Sequence, residues 1–323
     1  MGRYLVTGGC GFIGSHLCEA LIKTGAGVRI LDDFSTGSPD NAPREAVIRQ
    51  GDVADPQAVA AAMEGVDGCF HLAAVASVER SARDWLGAHR TNLSGTIAVL
   101  DAARRAPDRP VPVVYASSAA VYGDCQALPL RETVAATPRS AYGADKLGCE
   151  LHARVAGEVY GVPTVGLRFF NVYGPRQHPL SPYSGVISRF CERLRCGRAI
   201  EVFGDGRQTR DFVFVEDVVR ALTAAMARDI ARPAVFNICS GTRVSVLDLA
   251  RLIGALCGGA PEVRFAPPRP GEIAHSWGDG TLARRSLALP DPVDLRTGLA
   301  ATLSWVETAG RAAAGAHGEW LPA

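Results

Sequence analysis

YLVTGGCGFIGSHL, residues 4–17, places Gly8, Gly11 and Gly14 between an apolar, strand-like run and the first turn of a helical pattern. In that setting backbone N–H groups and the positive end of a helix dipole can face a phosphate. The spacing GxxGxxG differs by one residue from the dinucleotide fingerprint GxGxxG, but each glycine keeps a physical task. Gly8 permits a tight turn, Gly11 removes a side chain where backbone must approach phosphate, and Gly14 lets the helix pack closely on the strand. The next apolar run ends in Leu31-Asp32-Asp33, with Asp32 18 residues beyond Gly14. That is close to the offset of roughly 20 at which a carboxylate meets an adenosine ribose. Such a carboxylate accepts bonds from both ribose hydroxyls and repels a 2′-phosphate, so NAD is expected in preference to NADP.

The same alternation continues through the first half. Strand candidates are Arg3 to Thr7, Val28 to Leu31, Ala46 to Arg49, Gly68 to His71, Val111 to Ala116 and Thr164 to Phe169. Helix candidates with apolar residues at i, i+3 and i+4 lie between them: Phe12 to Lys23, Pro56 to Met63, Asn92 to Arg105 and Ala141 to Tyr160. This rhythm predicts an α/β fold, a doubly wound parallel (Rossmann) sheet. After Asn171 the texture changes to Pro and Gly punctuation, a helix near Val186 to Cys196 and the loop FGDGRQTRDF, residues 203–212. The expected division is a dinucleotide-binding domain over 1–170, a smaller mixed α/β substrate-binding domain over 171–315 and a flexible tail over 316–323. Segments near 212–240, with a helix near Glu216 to Ala227 and a strand at Ala234 to Ile238, are expected to return to the first domain.

Of 323 residues 47% are hydrophobic, enough for a full core. The 34 basic and 33 acidic side chains are interspersed and leave a net charge of +1, so no broad field would draw in nucleic acid or anionic lipid. No run of about 18 apolar residues is present, and the chain opens on a strand and a glycine loop; a cytoplasmic protein is expected. Nine cysteines without CxxC pairs and seven histidines without ligand spacing predict neither a disulfide framework nor a metal site.

Tyr142 and Lys146, four apart in SAYGADKLGCE (140–150), share one face of a helix. A phenol is protonated at neutral pH, but a neighbouring ammonium and a nicotinamide cation favour its phenolate, which could then serve as a base. The apolar run Val113 to Ala116 delivers Ser117 and Ser118 to the carboxyl edge of the sheet, where open α/β sheets bind ligands. Ser118 could donate to the oxygen that becomes a carbonyl. Asp52 and Val53 are placed to reach the adenine edge, and Leu72, Ala73 and Ala74 put small residues beside the cofactor.

With these residues in hand, the chain resembles the extended short-chain dehydrogenase/reductases, and among them the NAD-dependent nucleotide-sugar epimerases of the UDP-glucose 4-epimerase type. The matching stretches are TGGCGFIGSHL, LDDFSTG, GDVAD, HLAAVASV, TNLSGT, YASSAAVYGD, SAYGADKLGCE, LRFFNVYGPRQ, FGDGRQTRDFVFVEDV and RPGEIAHS. The resemblance implies that Ser118, Tyr142 and Lys146 form the catalytic set. It implies that Gly8, Gly11, Phe12, Ile13, Gly14, Asp32, Asp33, Asp52, Val53, Leu72, Ala73, Ala74, Asn92 and Phe170, with Tyr142 and Lys146, line NAD. Asn171, Glu201, Val202, Phe203, Arg210, Arg269, Glu272 and Ser276 would hold a UDP-sugar. Guanidinium groups at Arg210 and Arg269 suit a pyrophosphate, and Glu272 can accept ribose hydroxyls.

The implied reaction is 4-epimerisation of a UDP-hexose, glucose or galactose, through a transient 4-keto sugar. In the related 4,6-dehydratases an Asp-Glu pair follows the catalytic hydroxyl; here Ala119-Ala120 stands there, which disfavours elimination. Other nucleotide-sugar reductases or decarboxylases share Tyr and Lys, whereas non-catalytic NAD-binding sensors usually lose them. Ser276 aligns with a tyrosine of glucose-specific epimerases, and a small residue makes room at C2 for an N-acetyl group, so UDP-GlcNAc/UDP-GalNAc is an alternative pair. A UDP-glucuronate epimerase is another, with Arg176 or His178 meeting the carboxylate; the segment around Tyr183 and His275 also depart from the glucose-specific pattern. By resemblance, helices 92–105 and 141–160 would pair across a twofold axis in a homodimer.

Overall fold

Strand β1 (Arg3–Thr7), helix α1 (Phe12–Lys23), β2 (Gly27–Asp32), β3 (Val47–Gln50), α2 (Pro56–Met63) and β4 (Gly68–His71) open the chain. Two short helices, α3 (Val78–Arg83) and α4 (Trp85–His89), precede α5 (Gly95–Arg104), β5 (Val113–Ser118), α6 (Ala141–Tyr160) and β6 (Thr164–Phe169). The second half holds β7 (Asn171–Tyr173), α7 (Val186–Arg195), β8 (Ile200–Phe203), β9 (Thr209–Arg210), β10 (Phe212–Phe214), α8 (Val215–Ala227) and β11 (Ala234–Ile238). It ends with β12 (Val244–Ser245), α9 (Val246–Leu256), β13 (Val263–Ala266), α10 (Thr281–Leu287) and α11 (Leu295–Ala316). This computed structural model describes residues 2–177, 185–228, 232–269 and 271–316.

Seven strands form one sheet in the order β11-β6-β5-β4-β1-β2-β3, and every pairing in it is parallel. The chain winds outward from β1 through β2 and β3, then restarts on the other side with β4, so the switch point lies between β1 and β4. A crevice opens there above the strands' carboxyl ends, where Thr7 leads into Gly8 and His71 into Leu72. Residues alternate across the sheet as the pleat requires. Val6, Ile30, Phe70 and Leu167 pack under α1 and α8, while Leu5, Leu31, Cys69 and Tyr115 pack under α2, α5 and α6. A separate cluster around Tyr173, Phe190, Ile200, Phe212, Leu249 and Leu299 gathers the later elements. β11 joins the seven-stranded sheet beside β6, with Ala234 opposite Val165.

Two elements depart most from sequence expectation. The fifth strand runs from Val113 to Ser118, two residues later than expected, because Pro110 and Pro112 have no N–H for a ladder. The shift brings Ser117 and Ser118 into register with Arg168 and Phe169. The helix expected over 92–105 begins with a π-helical turn, Arg90–Ser94, and becomes α-helical at Gly95. There the carbonyl of Asn92 accepts from Thr96 Oγ1 (2.6 Å) and Cys149 Sγ (3.3 Å), side-chain bonds that compete with the regular ladder. By contrast α6 has the bounds its pattern predicts, capped by Ser140 Oγ on Gly143 N (3.0 Å) and ended by Gly161 at φ 69°.

Candidate active site

The crevice is a cavity of about 460 Å³. At one end Gly8 turns with φ 70°, and a Cβ on it would sit 2.8 Å from Ala73 N. A Cβ on Gly14 would lie 2.1 Å from Gly8 O, so only glycine lets α1 close on the loop. No side chain caps the start of α1, which leaves its first N–H groups for an anionic ligand. These features fit a dinucleotide pyrophosphate. Asp32, 7% exposed, accepts from Cys10 N and Phe34 N, both at 2.9 Å. Burial raises its pKa while the two N–H bonds oppose the rise. It therefore braces the glycine loop as well as facing the cavity. Asp33 lines the same end and accepts from Ser35 N (2.9 Å).

Most residues expected around NAD line this cavity: Gly8, Gly11, Phe12, Ile13, Gly14, Asp32, Asp33, Val53, Leu72, Ala73, Ala74 and Phe170. Two stand outside its lining. Asn92 is fully buried, and its Oδ1 accepts from Val75 N (2.8 Å), so it holds the loop that borders the cavity. Asp52 accepts from Ala54 N (2.8 Å) and meets Arg90 (3.3 Å).

At the other end stand Ser118, Tyr142 and Lys146. Ser118 Oγ accepts from Ala120 N (3.1 Å), which leaves its own proton available to donate. Lys146, 3% exposed, donates to Ala116 O (2.9 Å), and its Nζ lies 5.8 Å from the Tyr142 ring centre. The Tyr142 hydroxyl has no hydrogen-bond partner among the described residues. Behind them His71 is clamped between Thr7 Oγ1 (2.8 Å) and Thr96 Oγ1 (3.0 Å); burial, and then the Lys146 charge, lower its pKa to about 3. A neutral His71 leaves Lys146 as the cation of this corner.

Sequence reasoning missed the network beneath. Ser117 Oγ donates to Glu150 Oε1 (2.5 Å), and Arg168 grips both Glu150 oxygens from Nε (2.8 Å) and Nη2 (2.7 Å). The signal was available, since Glu150 lies one turn beyond Lys146 on the stripe Tyr142, Lys146, Glu150. Its partner across the sheet was not.

The residues expected to hold substrate lie on the later strands and their loops. Asn171 opens β7 and donates from its N to Asp211 O (3.0 Å). Glu201, Val202 and Phe203 belong to β8; Val202 is 1% exposed, so its side chain is core. Phe203 is covered by the Arg269 guanidinium at 4.1 Å. Arg210 donates to Thr209 O (2.9 Å) and pairs with Glu272 (3.1 Å). Ser276 is tied to the same strand through Thr209 O (3.0 Å), and His275 Nδ1 meets Thr209 Oγ1 (2.9 Å). Unforeseen was Asp211, fully buried, which accepts from Ser240 N and Oγ, Gly241 N and Gly278 N and so ties two loops to the link between β9 and β10.

Arg176, expected as one of two residues that could meet a sugar carboxylate, is engaged by α1. Its guanidinium binds Glu19 (2.5 Å) and His16 Nδ1 (2.8 Å) on α1. His178, Tyr183 and the tail beyond 316 lie outside the described residues.

A family model, NAD dependent epimerase/dehydratase family, matches residues 4–239. The UDP-glucose 4-epimerase of Mycolicibacterium smegmatis is 36% identical over 309 residues, 94% of this chain and 98% of that protein. Among solved structures, the UDP-glucose 4-epimerase of Thermotoga maritima with UDP-glucose superposes with a TM-score of 0.91 at 34% identity, covering 95% of this chain and 99% of that one. The UDP-N-acetylglucosamine 4-epimerase of Methanobrevibacter ruminantium, in complex with UDP-N-acetylmuramic acid, gives 0.90 at 32% identity, with coverage of 95% and 99%. Other solved relatives carry NAD.

Proposed function

The chain belongs to the NAD-dependent epimerase/dehydratase family, and on that premise we propose that it inverts C4 of a UDP-hexose, interconverting UDP-glucose and UDP-galactose. One observation carries the reading: Ser118, the buried Lys146 and Tyr142, whose hydroxyl has no partner among the described residues, line the same cavity as the glycine loop. NAD, when bound, supplies hydride acceptance and return beside them. Tyr142 as phenolate takes the C4 hydroxyl proton, Lys146 stabilises the phenolate, and Ser118 donates to the oxygen as it becomes a carbonyl. Lys146 retains two N–H donors beyond the bond to Ala116 O, enough to orient the cofactor ribose. Presenting the other face of the 4-keto sugar requires a loosely held hexose, so binding energy belongs on the nucleotide. We assign that anchoring to the segments after 171 and NAD to residues 1–170.

Ser118 is followed by Ala119-Ala120, which form a short 3₁₀ turn with no acid or base for elimination. A second reading, UDP-GlcNAc to UDP-GalNAc, is supported by Ser276, a small side chain beside the strand that carries Arg210. The test is incubation with UDP-glucose, UDP-GlcNAc and UDP-glucuronate, with products resolved by NMR. Tyr142→Phe should lower turnover by about 10²- to 10⁴-fold while NAD still binds. Absence of C4 inversion on all three, or full activity in Tyr142→Phe, would sink the proposal.

We further propose a cytoplasmic homodimer. Support for the dimer comes from Leu151 (56% exposed), Val155 (47%) and Val159 (66%), an apolar stripe at i, i+4, i+8 on α6, beside Ile97 (39%) on α5. All nine cysteines are free thiols, which suits a reducing compartment. No helix among the described residues is long and apolar enough to cross a membrane.

A further inference from the structure

Four charged side chains line the crevice: Asp32, Asp33, Arg80 and Lys146. The two carboxylates stand at the adenosine end and accept backbone N–H bonds from Cys10, Phe34 and Ser35. Lys146 donates to Ala116 O beside Tyr142. Arg80 is the one with no role in the chemistry described above.

Arg80 lies in the first turn of α3, three residues after Ser77, and both line the cavity. Its backbone is fixed: its N donates to Ser77 Oγ (3.1 Å), and its carbonyl accepts from Asp84 N (2.8 Å). Its half-buried side chain makes neither a hydrogen bond nor an ion pair among the described residues. The neighbouring acids are engaged elsewhere, Glu79 with Arg83 (2.6 Å) and Asp84 with Gly87 N (3.0 Å). A guanidinium without a counter-ion on the wall of a ligand cavity is complementary to an anion held there.

The cavity fits one such anion. The glycine loop offers a pyrophosphate backbone N–H groups and a helix dipole, which are partial charges only. Asp32 and Asp33 add two negative charges to those of the ligand. Arg210 and Arg269, expected at the substrate diphosphate, are not among the residues that line this cavity. The segment that leads to Arg80 starts beside the loop, since a Cβ on Gly8 would lie 2.8 Å from Ala73 N. We infer that Arg80 is the side-chain counter-ion of the NAD pyrophosphate, reaching from α3 the dianion that the glycine loop holds by backbone alone. The assignment rests on the NAD dependence of the family and holds whichever sugar is turned over.

Isothermal titration of the full chain, freed of cofactor, with NAD and with ADP-ribose tests it. In Arg80→Met both Kd values should rise about 10- to 100-fold, the effect of a lost charge-assisted bond, because both ligands carry the pyrophosphate. Arg80→Lys should recover part of the loss. The urea midpoint of cofactor-free Arg80→Met should match wild type, since the guanidinium has no protein partner to lose. NAD affinity within twofold of wild type overturns the inference, and so does a loss confined to turnover of UDP-glucuronate, which would put Arg80 on a sugar carboxylate. Weaker NAD with unchanged ADP-ribose would move the contact to the nicotinamide, and a lowered urea midpoint would make Arg80 a structural residue; either result overturns it. A wild-type chain that takes up neither ligand overturns the cofactor reading as well.

Discussion

Glu150→Gln is expected to destabilise the protein by about 3–5 kcal/mol. Arg168 and Glu150 are each 7% exposed, and the guanidinium places Nε and Nη2 on the two carboxylate oxygens at 2.8 and 2.7 Å. Its Nη1 reaches Tyr122 OH (2.8 Å), which donates to Asn237 Oδ1 (2.7 Å). Burial opposes the Arg168 charge, but the bonds it donates to Glu150 hold its pKa above the usual range, so the folded protein keeps the cation. Glutamine preserves shape and one oxygen but removes the counter-charge and turns an NH₂ group toward Arg168 or Ser117. A buried guanidinium is then left without compensation, a large fraction of a typical total stability of about 5–15 kcal/mol. The assay is urea denaturation at fixed NAD concentration, since ligand binding to the native state shifts the midpoint. Arg168→Met should cost a similar amount, and the double variant Glu150→Met/Arg168→Met much less than the two together. A Glu150→Gln cost below about 1 kcal/mol, or single costs that add to within about 0.5 kcal/mol, would refute the reasoning.

Gly14→Ala pushes a Cβ to 2.1 Å from Gly8 O, so the variant should purify without NAD; wild-type NAD affinity by fluorescence titration would show that the loop is not a tight cradle. Burial holds the His71 pKa down at about 3 in the folded protein, against the ordinary 6.5 of a free imidazole. As pH falls through 6.5 the unfolded chain takes up this proton and the native state does not, so stability drops, by about 2 kcal/mol between pH 6.5 and 5. His71→Asn should remove that share of the slope in urea titrations at the two pH values; an unchanged slope counts against a buried neutral His71. Ser276→Tyr should abolish conversion of an N-acetylated substrate and spare the glucose pair. Equal N-acetylhexosamine turnover before and after the change would rule out Ser276 as the residue that makes room at C2.

The features legible in the chain alone are those set by short-range rules. The glycine spacing implied a phosphate turn because a Cβ at Gly8 or Gly14 has nowhere to go, a constraint expressed within a dozen residues. The bounds of α6 followed from a serine cap, a 3.6-residue period and a terminal glycine, and with them the alignment of Tyr142 and Lys146. Ala119-Ala120 in place of an acid pair was equally a matter of adjacency. Which charge answers which was decided by tertiary structure. Arg176 could be read as a carboxylate ligand until α1 presented Glu19 and His16. Arg210 and Glu272 are 62 residues apart in the chain, and only the packing of β9 against the loop after β13 brings them within 3.1 Å of one another. Asn92 and Asp211 proved to be braces because the backbone they hold lies far away in sequence. A guanidinium or carboxylate has no specificity of its own, and its role is set by the partner that packing places within about 3 Å, here from 18 residues away for Arg168 and Glu150 to 157 for Arg176 and Glu19.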